Sequence, residues 1–198
     1  MGAPAGNDMK HHFTVVDELD CSVAVSVAAY LDCEHYIFLH RGLTDSVEVV
    51  KVDGFKVTVR QSWKALGLKL GHDKTGEYVP PAEFLIYDVV PAPRWFPSVH
   101  HVMDIATRLR FTPASGDKTL MTFDVELDLP FFLWPLRGYL QRLVERLHAQ
   151  QVAEDMDMIK HREKLVGREN LLAVYLKDHH FCYHKDEFLK HFGRKKAA

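Results

Sequence analysis

The chain has 198 residues, enough for one domain with a substantial core and too few for two comfortable ones. Its 47% hydrophobic and 26% charged residues fit a globular protein, and a formal net charge of -2 gives no global pull toward nucleic acid. No apolar run approaches the roughly 20 residues needed to span a bilayer, and the first residues lack the apolar stretch of a secretory leader, so a cytoplasmic protein is expected.

In chain order, residues 1–12 read as a tail, 13–192 as a single domain and 193–198 as a second tail. Ser22–Ala29 alternates small polar and apolar residues, which predicts a strand. Tyr30–Leu43 then reads as a short helix ending near Gly42. Ser46–Val52 and Phe55–Trp63 flank Asp53-Gly54, the signature of a hairpin. Gly71–Gly76 reads as a loop, and Pro80-Pro81 introduces a strand over Glu83–Val90 that Pro91-Ala92-Pro93 ends. Val99–Thr112 and Thr119–Leu129 bracket a turn at Pro113–Asp117.

After Pro130 the spacing becomes helical. Leu136, Leu140, Leu143, Leu147, Val152, Met156 and Ile159 recur every three to five residues, predicting one long helix to about Gly167, with a break allowed near Ala153. Leu171–Leu176 is strand-like, and Phe188, Leu189 and Phe192 make a short amphipathic piece. This is an α+β plan: a curved antiparallel sheet around a long C-terminal helix. The cavity between them would be lined with aromatic side chains and suit an apolar or aromatic small molecule.

The stretch Asp32-x-x-His35-x-x-x-x-His40 carries the sharpest chemical signal. Two imidazoles with one carboxylate form a metal face that leaves positions open for oxygen or substrate. A carboxylate candidate lies downstream in Ala153–Ile159, where Asp155 and Asp157 are rivals. On an ideal helix His35 and His40 diverge by about 140°, so one metal would need a distorted or terminating helix. The thirteen histidines supply ligands, but His11-His12, His100-His101 and His179-His180 are adjacent pairs, which point to opposite faces of a strand. His100 or His101 would sit on a strand facing the helix, and His101 is the candidate acid or base of the pocket. Cys21, Cys33 and Cys182 have no zinc-like spacing and fit a reducing compartment. Trp63, Trp95 and Trp134 read as core residues. Phe131–Leu136 reads as a buried helix start, its other readings being a membrane-interface wedge or a cavity lid.

The order of elements resembles the helix-grip (START-like) fold. The Asp32–His40 motif resembles the mononuclear iron site in the catalytic domain of Rieske-type ring-hydroxylating oxygenases. That resemblance implies iron(II) on His35, His40 and Asp155, with zinc the other metal such a face would take. It implies that Asp32 orients a histidine ligand and links it to the electron source. Glu154 before Asp155 and Ile159 four residues after it match the family's helix pattern. Ala28 stands where the family often has a polar residue. The chain has one Cys-x-His, Cys182-Tyr183-His184, and no Cys-x-x-His, so no iron–sulfur cluster can form within it. Oxygenation would then draw electrons from a separate electron-transfer protein. The alternative function on the same fold is metal-free binding of a hydrophobic ligand, or polyketide cyclase-like chemistry. A structural subunit would instead fill its cavity with side chains.

Overall fold

The computed structural model describes residues 9–32, 44–65, 68–95, 98–169 and 184–193. Strand β7 (Thr119–Leu129) buries every second residue along its whole length, so one face meets the core and the other meets solvent. β1 (Met9–Leu19) runs antiparallel to it, in register from Met9 opposite Leu129 to Leu19 opposite Thr119. The strand thus starts inside the stretch expected to be a tail, because Phe13 and Val15 pack against the core.

The other strands are β2 (Ser46–Asp53), β3 (Lys56–Ala65), β4 (Leu68–Val79), β5 (Glu83–Ala92) and β6 (Asp104–Pro113). Together they form one seven-stranded sheet in the order β1-β7-β6-β5-β4-β3-β2, antiparallel throughout. The Asp53-Gly54 hairpin forms as expected, with Gly54 at a φ of 58°, a backbone region that favours glycine. The outer face is a lattice of exposed ion pairs, such as Lys69–Glu48, Arg110–Asp124 and Lys10–Glu126. Each stabilises little on its own, but together they keep that face wetted.

Three expectations about local structure are corrected. Ser22–Ala29 is not a strand: Val23–Leu31 is helix α1. Its alternation is accidental, because Val25, Ser26, Val27, Ala28 and Ala29 are all buried and the helix is enclosed on most sides. The Ser26 hydroxyl donates to the Ser22 carbonyl one turn back, which removes its polar cost. Gly71–Gly76 is not a loop but the middle of β4. Gly71 marks a close approach: a Cβ there would lie 2.3 Å from the Gln61 carbonyl oxygen of β3. Val99–Thr112 is not one strand. Val99–His101 is a 3-10 turn, and β6 begins only at Asp104.

Helix α2 (Arg137–Glu169) follows a 3-10 turn at Trp134–Leu136 and runs through Ala153 without a break. Leu140, Val144, Val152, Met156 and Ile159 turn toward the core that the sheet and α1 share. His148 is also on this face. Its ring stacks on Phe123 at 4.2 Å, and its Nε2 lies 2.8 Å from Asp17 of β1. His11 and Gln141 add a second β1–α2 hydrogen bond. A short helix α3 (Lys185–Phe192) seats the fully buried Phe188 in the same core. The strand-like piece Leu171–Leu176 lies outside the described residues. Among the described residues no helix is long and apolar enough to cross a membrane.

Candidate ligand-binding site

The concave face is built by cross-strand pairing. Val57, Val59, Gln61 and Trp63 of β3 stand opposite Gly76, Lys74, His72 and Leu70 of β4, so all eight share one face of the sheet. Val57, Val59 and Gly76 make its apolar end, Lys74, Gln61 and His72 its polar middle, and Trp63 and Leu70 its far end.

At the apolar end a cavity of about 90 Å³ is lined by Tyr30 of α1, Val57, Tyr78, Phe84, Ile86 and His184, among others. Its wall is aromatic and ordered by stacking. Tyr78 stacks on Phe84 at 5.2 Å and on His184 at 5.9 Å, with the planes inclined by 30° and 28°, and Tyr30 packs against Phe84 and Phe111. The Tyr78 hydroxyl donates to the Pro81 carbonyl at 2.7 Å, which fixes the ring. His184 precedes α3, so the seating of Phe188 holds this wall in place. Burial lowers the His184 pKa and favours a neutral ring. The volume is below the roughly 150 Å³ that accommodates benzene, so the cavity as closed takes an alkyl group or a ring edge.

Lys74 lines the same cavity and begins the polar middle of the row. Its Nζ donates to Gln61 Oε1 at 2.9 Å. The Gln61 amide nitrogen in turn donates to the buried Thr44 hydroxyl. Because an ammonium can only donate, Lys74 fixes which end of the Gln61 amide is the oxygen. Further along are His72 and His100, with ring centroids 6.1 Å apart, and Trp63, 5.7 Å from His72. Burial pushes the His72 pKa down to about 4, helped by the nearby charges of Lys74 and His100. Burial lowers His100 as well. Near neutral pH the row therefore offers one ammonium, one oriented amide and two neutral imidazoles beside an apolar cavity. It can hold a molecule with an apolar body and an oxygen that accepts a hydrogen bond.

The residues singled out from sequence are distributed differently. His35 and His40 lie outside the described residues. Asp32 ends α1 and is 4% exposed, while Asp155 on α2 is 8% exposed; these two helices pack against each other. Asp157 points outward. Among the described residues no group of three or more His, Cys, Asp or Glu side chains is placed to hold a metal. His101 is not on a strand facing the helix; it is exposed in the 3-10 turn, and its neighbour His100 takes the inward position. Of the three tryptophans, Trp95 is exposed rather than core, because it sits in the β5–β6 connection. Sequence reading missed Gln61, His72 and Lys74. Period-two alternation from Leu70 to Tyr78 would have found the last two, but the glycines at 71 and 76 masked it.

No protein-family model matches the chain, and no curated protein matches it. Solved structures do match. The Zhui aromatase/cyclase from Streptomyces sp. R1128 aligns with a TM-score of 0.59 at 11% identity, covering 78% of this chain and 96% of that one. A START superfamily protein from Mycobacterium smegmatis aligns at 0.53 and 11% identity, covering 76% and 98%. Truncated norcoclaurine synthase from Thalictrum flavum aligns at 0.53 and 9% identity, covering 74% and 94%. The likeness expected to Rieske-type oxygenases is not shown by these comparisons. At such identities the alignments speak for architecture alone, and with the curved sheet and long helix they establish the START-like helix-grip fold.

Proposed function

We propose that this protein binds a hydrophobic or aromatic small molecule on its concave face. The observation that carries the reading is an apolar, aromatic-walled cavity with a lysine, Lys74, at its inner wall. The ligand's apolar part enters between Tyr30, Phe84 and Ile86. An accepting oxygen meets Lys74, and the remainder runs past His72 and His100 toward Trp63. The same groups suit polyketide cyclase-like chemistry, in which an ammonium stabilises developing charge on a carbonyl oxygen. The aromatase/cyclase architecture among the structural neighbours supports that option.

Octanoate, whose alkyl chain matches the closed cavity and whose carboxylate offers Lys74 an accepting oxygen, tests the site by calorimetry. Lys74→Met is expected to weaken its binding about 10- to 100-fold, the value of a charge-assisted hydrogen bond in a partly buried site. Ile86→Trp, which fills the cavity, is expected to abolish binding. Lys51→Met on the outer face should change nothing. Octanoate binding that is absent, or indifferent to both Lys74→Met and Ile86→Trp, would remove the site from this face.

A second reading rests on Asp155. A carboxylate buried to this depth on α2, a helix that packs against α1, supports the ligand set expected from sequence. In that reading His35, His40 and Asp155 hold iron(II), or zinc, and Asp32 orients a histidine. A bound iron would supply oxygen activation, with electrons from a separate protein. Protein purified anaerobically without an affinity tag should then contain near-stoichiometric metal. Asp155→Asn should lose it, and Asp157→Asn should keep it. Metal-free protein in all three preparations would exclude this reading.

A further inference from the structure

We infer that one end of the molecule docks onto an anionic lipid surface. The sheet topology gathers the parts. β5 ends, β6 begins and β7 ends at the same end of the sheet, as shown by the antiparallel pairing of Glu83 with Arg110 and of Asp104 with Asp128. The β5–β6 connection and the β7–α2 connection therefore emerge together. They carry Trp95, Val102, Phe131 and Phe132, at 70%, 48%, 71% and 55% exposure. Four large apolar side chains this open, on two connections at one end of a sheet, mark an interaction surface.

Helix α2 continues the patch. Leu136, in the turn before it, and Tyr139, Leu143 and Leu147 within it are spaced by three, four and four residues and are all exposed. They form a single stripe distinct from the core-facing stripe of Leu140, Val144 and His148. The first half of α2 is thus apolar on two faces, one of which is buried by the sheet.

Charge selects the occupant. Residues 131–150 carry Arg137, Arg142 and Arg146 against the single acid Glu145, within a chain whose net charge is -2. Arg142 and Arg146 are exposed and lie one turn apart, flanking the stripe. Arg137 sits over the Trp134 ring at 4.8 Å, and Arg94 precedes Trp95. Aromatic and leucine side chains bordered by arginines on a surface helix match the interface between acyl chains and acidic headgroups. A protein partner of comparable apolar area would not require the arginine border.

The test is co-sedimentation of the full chain with vesicles of phosphatidylcholine alone and of phosphatidylcholine containing one third phosphatidylglycerol. Binding is expected to the anionic vesicles and to weaken with added salt. Phe131→Ser with Phe132→Ser should cut partitioning at least about tenfold. Arg142→Gln with Arg146→Gln should cut it about tenfold on anionic vesicles only. Val50→Ser, an exposed valine on β2, is the control and should have no effect. All these positions are exposed, so the variants keep the fold, which a thermal melt verifies. No binding to either vesicle would overturn the inference, as would binding indifferent to the Phe131/Phe132 change. A dimer that the same change converts to monomer, without lipid binding, would reassign the patch to self-association.

Discussion

Gly71→Ala is expected to destabilise the protein by about 3–5 kcal/mol, at the upper end of single-residue effects. The added Cβ would lie 2.3 Å from the Gln61 carbonyl oxygen and 3.0 Å from the Ser62 Cα. Both are backbone atoms of β3, so no side chain can swing aside to make room. Relief requires β3 and β4 to separate where Ser62 pairs with Gly71. That separation would also disturb Gln61 and Trp63, which flank the pair on the concave face. Gly76→Ala is the matched control in the same strand. Its added Cβ meets only the Val57 carbonyl oxygen at 3.8 Å, an ordinary contact. Alanine is also the better strand residue, so this change should be neutral or stabilising by about 0.5 kcal/mol. Urea titrations followed by circular dichroism report both midpoints. Equal midpoints for the two variants would refute the strand contact at Gly71.

The same glycine explains why part of the fold was hidden in the sequence. Where one face of a strand is solvated, alternation is plain, as in Thr119–Leu129, whose bounds the sequence states correctly. The Asp53-Gly54 hairpin and the long helix after Pro130 are legible for similarly local reasons: a turn that needs positive φ, and a periodic apolar stripe. β4 was illegible because Gly71 and Gly76 imitate a loop, while one of them is there to admit a neighbouring backbone. α1 was illegible because a helix enclosed on most sides has no polar face to betray its period. Phe131 and Phe132 look like core residues by composition, and only their place in the connection after β7, at one end of the sheet, reveals their exposure. For the site, the sequence pointed to a histidine beside the pocket and chose His101, whereas the 3-10 turn presents His100 inward. The polar row from Gln61 to Lys74 depends on cross-strand register, which no single segment encodes.

Acid should destabilise the protein through His72, and the sign follows from burial. In the unfolded chain the imidazole titrates near 6.5; in the fold its pKa is pushed down to about 4. Above pH 6.5 the ring is neutral in both states and costs nothing. Between pH 6.5 and 4 the unfolded chain takes up a proton that the fold refuses, so stability falls as pH falls. Below about pH 4 both states are protonated and the loss levels off. The shift corresponds to about 3 kcal/mol lost across this window. Desolvation is the main cause, with the Lys74 ammonium and His100 adding repulsion and Asp73 partly opposing them. Because His100 and His184 are also depressed by burial, the total acid response is larger than the share of His72. The decisive quantity is therefore the difference between wild type and His72→Gln, which keeps a polar side chain but cannot titrate. Urea unfolding at intervals from pH 7.5 to pH 4 should show wild type losing up to about 3 kcal/mol relative to His72→Gln as pH falls. Parallel curves would mean that His72 is open to solvent. The row of Gln61, Lys74 and His72 would then be a wet surface, and the apolar ligand proposed here would lose the dry environment that makes its single hydrogen bond to Lys74 selective.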